Sequence, residues 1–396
     1  MALDARETRL RDRLRADAPA MLARLGEMVA VPSGCGHRPG LEHMRRLLCD
    51  RLGGLGADIT LMPAQPRPTW VDPLPGRDAM QPLVVARAPG VRAGPRLLLC
   101  GHIDTVHDPA DAFQRLEPRG DGAMTGPGAA DMKGGLEVML SALEALEAEQ
   151  VRLPWTVVLV PDEETGTFGT SAALRQVAAE HDRAFVVEPA TASGDLVSER
   201  AGSGQFLIEA HGRAAHAGRD FASGVSAVRE LAATVVQACA LADAARGRVV
   251  NVGPLQGGAA TNIVPDLARA WGNIRFRDEG DGAWLMHAIE ALARGGEQEV
   301  PRVRVRMELN RPAKPANDGV RALGEAAVQV AVDLGFRVGL AATGGVSDAN
   351  LIQQAGPPAL DGLGVRGGNL HRGDEFMWPE SLAERAGLLA ILLARQ

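Results

Sequence analysis

The sequence predicts an α/β chain: a main domain with a mixed, mostly parallel sheet flanked by helices, interrupted by a smaller α+β domain with an antiparallel sheet. Three observations predict it. Short runs at 96–100, 155–160 and 185–187, apolar but for Arg96 and Thr156, alternate with amphipathic helical stretches, the pattern of strands buried on both faces. Between residues 198 and 308 the order changes to strand, helix, strand, strand, helix, strand, which fits a compact α+β unit. At 396 residues the chain is long enough for two full cores. The predicted division is residues 1–197 with 309–396 for the main domain and 198–308 for the insert.

Each element has its own signal. Leu14, Ala18, Met21, Leu22, Leu25, Met28 and Val29 recur at helical spacing and predict a first helix ending before Pro32. A second helix is predicted from about Gly40 to Leu55, with Gly56 as its stop. Strands follow at 58–62, 83–87 and 96–100, the first two joined by a Pro-rich loop over 63–82. The last of them stops at Gly101 and gives way at once to His102 and Asp104. A glycine-rich connection over 120–135 delivers Asp131 to a helix whose stripe is Leu136, Met139, Leu140, Leu143 and Leu146. The strand at 155–160 runs into Glu163-Glu164, and the strand at 185–187 into Glu188-Pro189. In the insert, 204–210 alternates like a half-exposed strand. A helix from Val225 to Ala240, strands at 248–252 and 267–276, a helix at 283–292 and a strand at 303–307 follow. From Asn317 the α/β pattern resumes: a helix to Leu334, a strand at 338–342 and a Gly344-Gly345 turn into a short helix. A strand at 358–362 and a final helix from Pro379 to Ala394 complete it.

Composition excludes several classes. A net charge of -7 argues against non-specific binding to nucleic acid or anionic membrane. No run approaches the roughly 18 apolar residues of a membrane span, and residues 1–20 lack the apolar core of a signal peptide, so the expected compartment is the cytoplasm. Cys35, Cys49, Cys100 and Cys239 are widely spaced, with neither a thiolate zinc pattern nor a disulfide framework. Any metal must therefore be held by His, Asp and Glu. Tyrosine is absent, which removes phenol chemistry, and of only two lysines one, Lys133, lies two residues after Asp131. No Gly-x-Gly-x-x-Gly follows the first strand and no Gly-x-Ser-x-Gly elbow appears, against nucleotide binding and serine hydrolysis.

What remains is a constellation. Ligands in an open α/β sheet gather beyond the carboxyl ends of the strands. His102, Glu163-Glu164 and Glu188 all stand there, Asp131 opens a helix nearby, and His371 follows the last strand. Singly, each has an ordinary explanation: an N-cap for Asp131, a solvated turn for the glutamates, a polar loop for His371. Jointly they suit a borderline cation such as zinc with open positions for water. So many anionic ligands favour two metals about 3.5–4 Å apart sharing a carboxylate. Adjacent glutamates in an extended turn point different ways, leaving one free as a base. Asp104 is placed to hold the second ring nitrogen of His102.

The stretches Gly101-His-Ile-Asp-Thr-Val106, Gly126-Pro-Gly-Ala-Ala-Asp-Met-Lys-Gly-Gly135, Asp162-Glu-Glu-Thr-Gly166 and Val187-Glu-Pro189 are four of seven matching blocks. Gly212-Arg-Ala-Ala-His-Ala-Gly218, Thr261-Asn-Ile-Val-Pro265 and Gly368-Asn-Leu-His371 complete the series. In order and spacing across nearly the whole chain, it resembles the di-zinc metallopeptidase family of carboxypeptidase G, aminoacylase and succinyl-diaminopimelate desuccinylase. The resemblance implies two Zn2+ per subunit, with Co2+ or Mn2+ as substitutes. Asp131 would bridge them, with His102 and Glu188 on one and Glu164 and His371 on the other. It makes Glu163 the general base and Asp104 the orienting partner of His102. It also makes 198–308 a lid through which a homodimer forms, with His216 reaching the partner's site to stabilise the oxyanion. Asn262 and Arg275 look like lid residues near substrate, and Arg311 like the receiver of a substrate carboxylate. The turn at Gly345 offers backbone N–H groups to an anion.

The implied reaction is hydrolysis of an amide by a metal-activated water, releasing an amino acid with a free carboxylate from an N-acyl amino acid or dipeptide-like small molecule. Glutamate-releasing members carry a basic residue in the loop after Glu188, where this chain has Asp195-Leu196-Val197 and then Arg200, so the side chain stays open. The alternatives are an N-deacylase or desuccinylase of amino-acid biosynthesis, which would share every ligand, and a non-catalytic metal- or amino-acid-binding protein. The last requires a missing ligand or base, and none is missing.

Overall fold

The computed structural model describes residues 2–71, 81–90 and 93–396. At its centre a six-stranded sheet runs in the order Asp58–Met62, Leu83–Arg87, Trp155–Val160, Leu97–His102, Arg183–Val186, Ala359–Leu360. The last four are parallel and the first two are added antiparallel at one edge. The central strands read as unbroken apolar runs because each face is covered. Leu97, Leu99, Val157 and Leu159 pack with helices Ala5–Val29, Lys133–Ala148 and Glu380–Ala394. Leu98, Cys100, Val158 and Val160 pack with helices Ser171–Ala178 and Asp348–Gln354. Burying one such side chain is worth about 1.5–3 kcal/mol, so two opposed cores hold the strand ends rigidly beneath the loops that leave them.

The insert carries its own sheet, in the order Val249–Gly257, Leu267–Phe276, Gly202–His211, Arg302–Arg311, antiparallel throughout. Helices Ala227–Cys239 and Glu279–Glu290 cover one face, where Phe206, Ile208, Ala270 and Ile274 meet Leu231, Leu285 and Ile289. Ser226 and Asp278 cap these helices by accepting the N–H of Arg229 and Asp281. The sheet and helix order matches the expectation. The last strand runs past the predicted residue 307 to Arg311, and this extension brings Arg311 to the main domain.

Other differences are local. The predicted strand at 338–342 forms at Leu340–Thr343 and pairs in parallel with Leu196–Arg200, outside the central sheet. A small antiparallel sheet joins Gly367–Gly368, Phe376–Met377, Met124–Thr125 and Glu117–Pro118. Of the loop predicted over 63–82, residues 72–80 lie outside the described residues. Among the described residues no helix is long and apolar enough to cross a membrane.

Candidate metal centre

Three neighbouring parallel strands deliver side chains to one edge of the sheet. Leu97–His102 ends in His102, Trp155–Val160 leads to the 3-10 turn Glu163–Thr165, and Arg183–Val186 leads to Glu188. His102 is level with Val160, and Cys100 with Val186, so all three exits share one edge. Asp131 comes from the glycine-rich connection. It does not cap helix Lys133–Ala148; Met132 holds that position and makes no side-chain cap. Gly135 lets this helix start against the strand end that carries Glu188, because a Cβ there would lie 1.9 Å from the Val187 carbonyl oxygen. His371 takes φ of 64° in the loop between Gly367–Gly368 and Phe376–Met377.

The side chains fall into two sets around Asp131. Its Oδ1 lies 3.1 Å from His102 Nε2, and the same nitrogen is 3.8 Å from Glu188 Oε1. Its Oδ2 lies 3.3 Å from His371 Nε2, which is also 3.3 Å from Glu164 Oε2. Ligand atoms about 2.0–2.1 Å from a tetrahedral zinc are about 3.3 Å from one another, so these spacings are those of donors around a cation. Glu164 Oε1 is buried without a hydrogen-bond partner, as a carboxylate with a remaining ligand valence would be. His102, Asp131 and Glu188 are buried, whereas the His371 side chain is 54% exposed and opens the site to solvent.

Electrostatics point the same way. Asp131, Glu163, Glu164 and Glu188 share one cleft, and two like charges 4 Å apart repel by about 4 kcal/mol at an effective dielectric of 20. Burial pushes Glu163 up to about 8 despite the nearby Arg311 guanidinium. Burial likewise raises Glu188 well above the carboxylate range, and raises Glu164 with help from Asp131. His371 is pushed up to about 11 by hydrogen bonds to Asp131 and Glu164. His102 is raised too: burial opposes its charge, but Asp104 and Asp131 outweigh it. Burial also works against the Asp131 anion, yet the two imidazoles hold it well below its ordinary value. The site draws in positive charge, and a divalent cation meets that demand.

Asp104 touches both the His102 ring and the glutamate turn. His102 Nδ1 is 3.0 Å from its backbone oxygen and 3.4 Å from Oδ1. Its carboxylate accepts the N–H of Glu163 at 3.2 Å and of Glu164 at 3.0 Å. Two successive N–H groups converging on one carboxylate require a wound backbone, which is why Glu163-Glu164 sits in a 3-10 turn rather than the expected extended one.

Arg311 is buried, and its Nη2 donates to Glu163 Oε1 at 2.7 Å, the Glu163 carbonyl at 3.2 Å and Thr167 Oγ1 at 2.6 Å, with Asp348 Oδ1 at 3.3 Å. It therefore grips the neighbouring carboxylate instead of facing solvent. Half-buried Arg275 lies within the fields of Arg311 and Glu163, and burial first, then Arg311, lowers its pKa. Gly345 lines the cleft, a hollow of about 380 Å³ that also includes Arg200 and Thr343. His216 and Asn262 are exposed on the insert and do not line it. A groove of about 730 Å³ between helices Ala5–Val29 and Lys133–Ala148 is larger, but its wall is a surface mixture of paired arginines and acids. Sequence reasoning overlooked Thr167 and Asp348, which hold Arg311, and Glu375, which accepts backbone N–H groups around Asp131. No local pattern marks them; only the folded chain brings them together.

The chain resembles known proteins over most of its length. The model of "Peptidase family M20/M25/M40" matches residues 98–395. Carboxypeptidase G2 of Pseudomonas sp. (strain RS-16) is 29% identical over 362 residues, covering 90% of this chain and 84% of its own. A succinyl-diaminopimelate desuccinylase of Methylobacterium nodulans is 30% identical over 388 residues, 91% of each chain. Among solved structures, a tripeptidase from Staphylococcus aureus aligns with a TM-score of 0.73 at 22% identity, over 96% of this chain and 99% of its own. A protein of Bacillus subtilis described as a dinuclear metal binding peptidase aligns with a TM-score of 0.63 at 17% identity, over 96% and 98%. The latter two show the fold. With a family match over three quarters of its length and a group of side chains at the sheet edge able to hold a metal ion, the chain belongs to peptidase family M20/M25/M40 and is a metal-dependent hydrolase of amide bonds.

Proposed function

We propose that the chain is a di-zinc hydrolase that releases an amino acid with a free α-carboxylate from an N-acyl amino acid or dipeptide-like substrate. The observation that carries this is the pair of donor sets served by the two oxygens of Asp131. His102 and Glu188 would hold one ion, and Glu164 and His371 the other. When bound, the ions supply polarisation of the scissile carbonyl and acidification of a water. Glu163 stands free of both sets, and burial raises its pKa above the ordinary carboxylate range, the direction that suits a base taking the proton of the attacking water and returning it to the leaving amine. Asp104 fixes the His102 ring and the turn carrying Glu163. Arg311 provides a guanidinium suited to a carboxylate: its Nη2 holds Glu163, and its buried Nε has no hydrogen-bond partner among the described residues.

The side-chain preference rests on the loop after Glu188. Asp195 faces away, accepting the Gly339 N–H and the Ser193 hydroxyl, so the basic group on this wall of the cleft is Arg200, tied to Asp361 at 2.6 Å. Glutamate release and desuccinylation both fit such a wall, and relatives named carboxypeptidase G2 and succinyl-diaminopimelate desuccinylase are similar over most of the chain. Product analysis on N-acetyl and N-succinyl amino acids and a folate-type glutamate conjugate separates them. For the mechanism, Glu163→Ala should retain about two zincs per chain by elemental analysis and lose turnover. Retained turnover would sink the assignment of the base.

We also propose a homodimer through the insert, residues 198–308, acting as lid. Val236, Leu255, Val249 and Ile263 are 69%, 60%, 49% and 49% exposed, and among the described residues Val249–Gly257 is an edge strand of its sheet. This arrangement supports an intersubunit role for exposed His216 as donor to the oxyanion. Mixing inactive His216→Ala with inactive Glu163→Ala protein should restore part of the activity; no recovery after proven subunit exchange would refute the role.

A further inference from the structure

We propose that Glu375, backed by His107, is the positioning residue that holds Asp131 where its two oxygens serve two metal sites. Resting on the di-zinc reading, this adds a residue that is not itself a ligand. Glu375 is 1% exposed. Its Oε1 accepts the N–H of Ala130 at 2.9 Å and of Asp131 at 3.0 Å. Its Oε2 accepts from His107 Nε2 at 2.8 Å and from the Gly128 N–H at 3.3 Å. Its backbone carbonyl accepts the Gly126 N–H at 3.1 Å and the Thr125 hydroxyl at 2.7 Å. Most of the stretch from Thr125 to Asp131 is thus laced to one residue.

Burying a carboxylate costs several kcal/mol unless its oxygens are fully engaged, and here the engagement goes to the backbone that aims Asp131. The position joins three ligand loops. Glu375 lies four residues after His371, and its own N–H bonds the Arg372 carbonyl at 3.0 Å. His107 comes from the loop that leaves His102, its ring edge-on to Phe113 at 5.2 Å. A bridging carboxylate tolerates little rotation, since turning it toward one set withdraws it from the other. Fixing its backbone N–H therefore acts on both sites at once.

The test is metal binding by the stripped protein, followed by Zn2+ calorimetry and Co2+ absorption. Partners that orient ligands are worth about 10–100-fold in metal affinity. Glu375→Ala should bind both ions at least about tenfold more weakly while unfolding cooperatively. Glu375→Gln, whose carbonyl still accepts the Ala130 and Asp131 N–H groups, should stay within about threefold of wild type. If the alanine variant does not fold, Glu375→Asp decides, because its shorter side chain withdraws the oxygens and should give the same tenfold loss. A folded alanine or aspartate variant with wild-type affinity would overturn the proposal alone. A wild-type chain that binds no metal would overturn the di-zinc reading and this inference with it.

Discussion

Asp104→Ala tests whether one carboxylate organises the whole turn. In the folded chain this side chain is 1% exposed and accepts two backbone N–H groups, from Glu163 and Glu164, besides facing the His102 ring. Hydrogen bonds to a charged acceptor contribute about 1.5–3 kcal/mol each, so losing two costs about 3–6 kcal/mol. At roughly 2 °C per kcal/mol for a large domain, the melting temperature of the metal-free protein should fall by about 6–12 °C. Asp104→Asn keeps one acceptor and should lose about half as much. Differential scanning calorimetry of chelated protein reads this directly, and zinc titration should show weaker binding, since Glu164 and His102 lose their orientation. An alanine variant melting within about 1 °C of wild type and binding zinc equally well would refute the idea that Asp104 winds the turn.

Gly135→Ala places a methyl group into the Val187 carbonyl; overpacking of this kind costs about 1–3 kcal/mol, and displacement of the adjacent Glu188 should appear as weakened zinc binding in calorimetry. Asp182 is held near 2, below its ordinary 3.8, by the Arg96 guanidinium and then by the Arg96 N–H. A lowered carboxylate stabilises above its unfolded value and loses that contribution as pH falls toward its folded one. Asp182→Asn should therefore melt below wild type at pH 7, and the gap should close between about pH 4 and pH 2; a gap independent of pH would contradict the ion pair.

The sequence made legible what periodicity and punctuation can carry. Leu97–Cys100, Trp155–Val160 and Phe185–Val186 are apolar on every residue but Thr156, as a sheet covered on both faces requires, and His102, Glu163, Glu164 and Glu188 follow within four residues of their ends. The helix Ser171–Ala178 was hidden by its eight-residue length and by flanking turns that offer no side-chain cap. The two-residue strands around Phe376–Met377 have no period at all, and they form because distant segments meet. Glu375 reads as one more acid in a polar loop until the fold wraps Thr125 to Asp131 around it. Arg311 was located, but its grip on Glu163 is shared with Thr167 and Asp348, 144 and 37 residues away along the chain.

The strand Arg302–Arg311 pairs along Gly202–His211 within the insert, yet its final side chain closes on Glu163. Ten residues of extended chain span about 33 Å, so a tilt of about 10° moves an end by about 6 Å. That is more than enough to break a 2.7 Å ion pair. The strand is in effect a connecting rod: a swing of the insert pulls on the Glu163 carboxylate, and a change of partner at Glu163 is felt at the far end of the insert. The pose of the insert and the position of the Glu163 carboxylate are thereby geared to one another by a single continuous backbone.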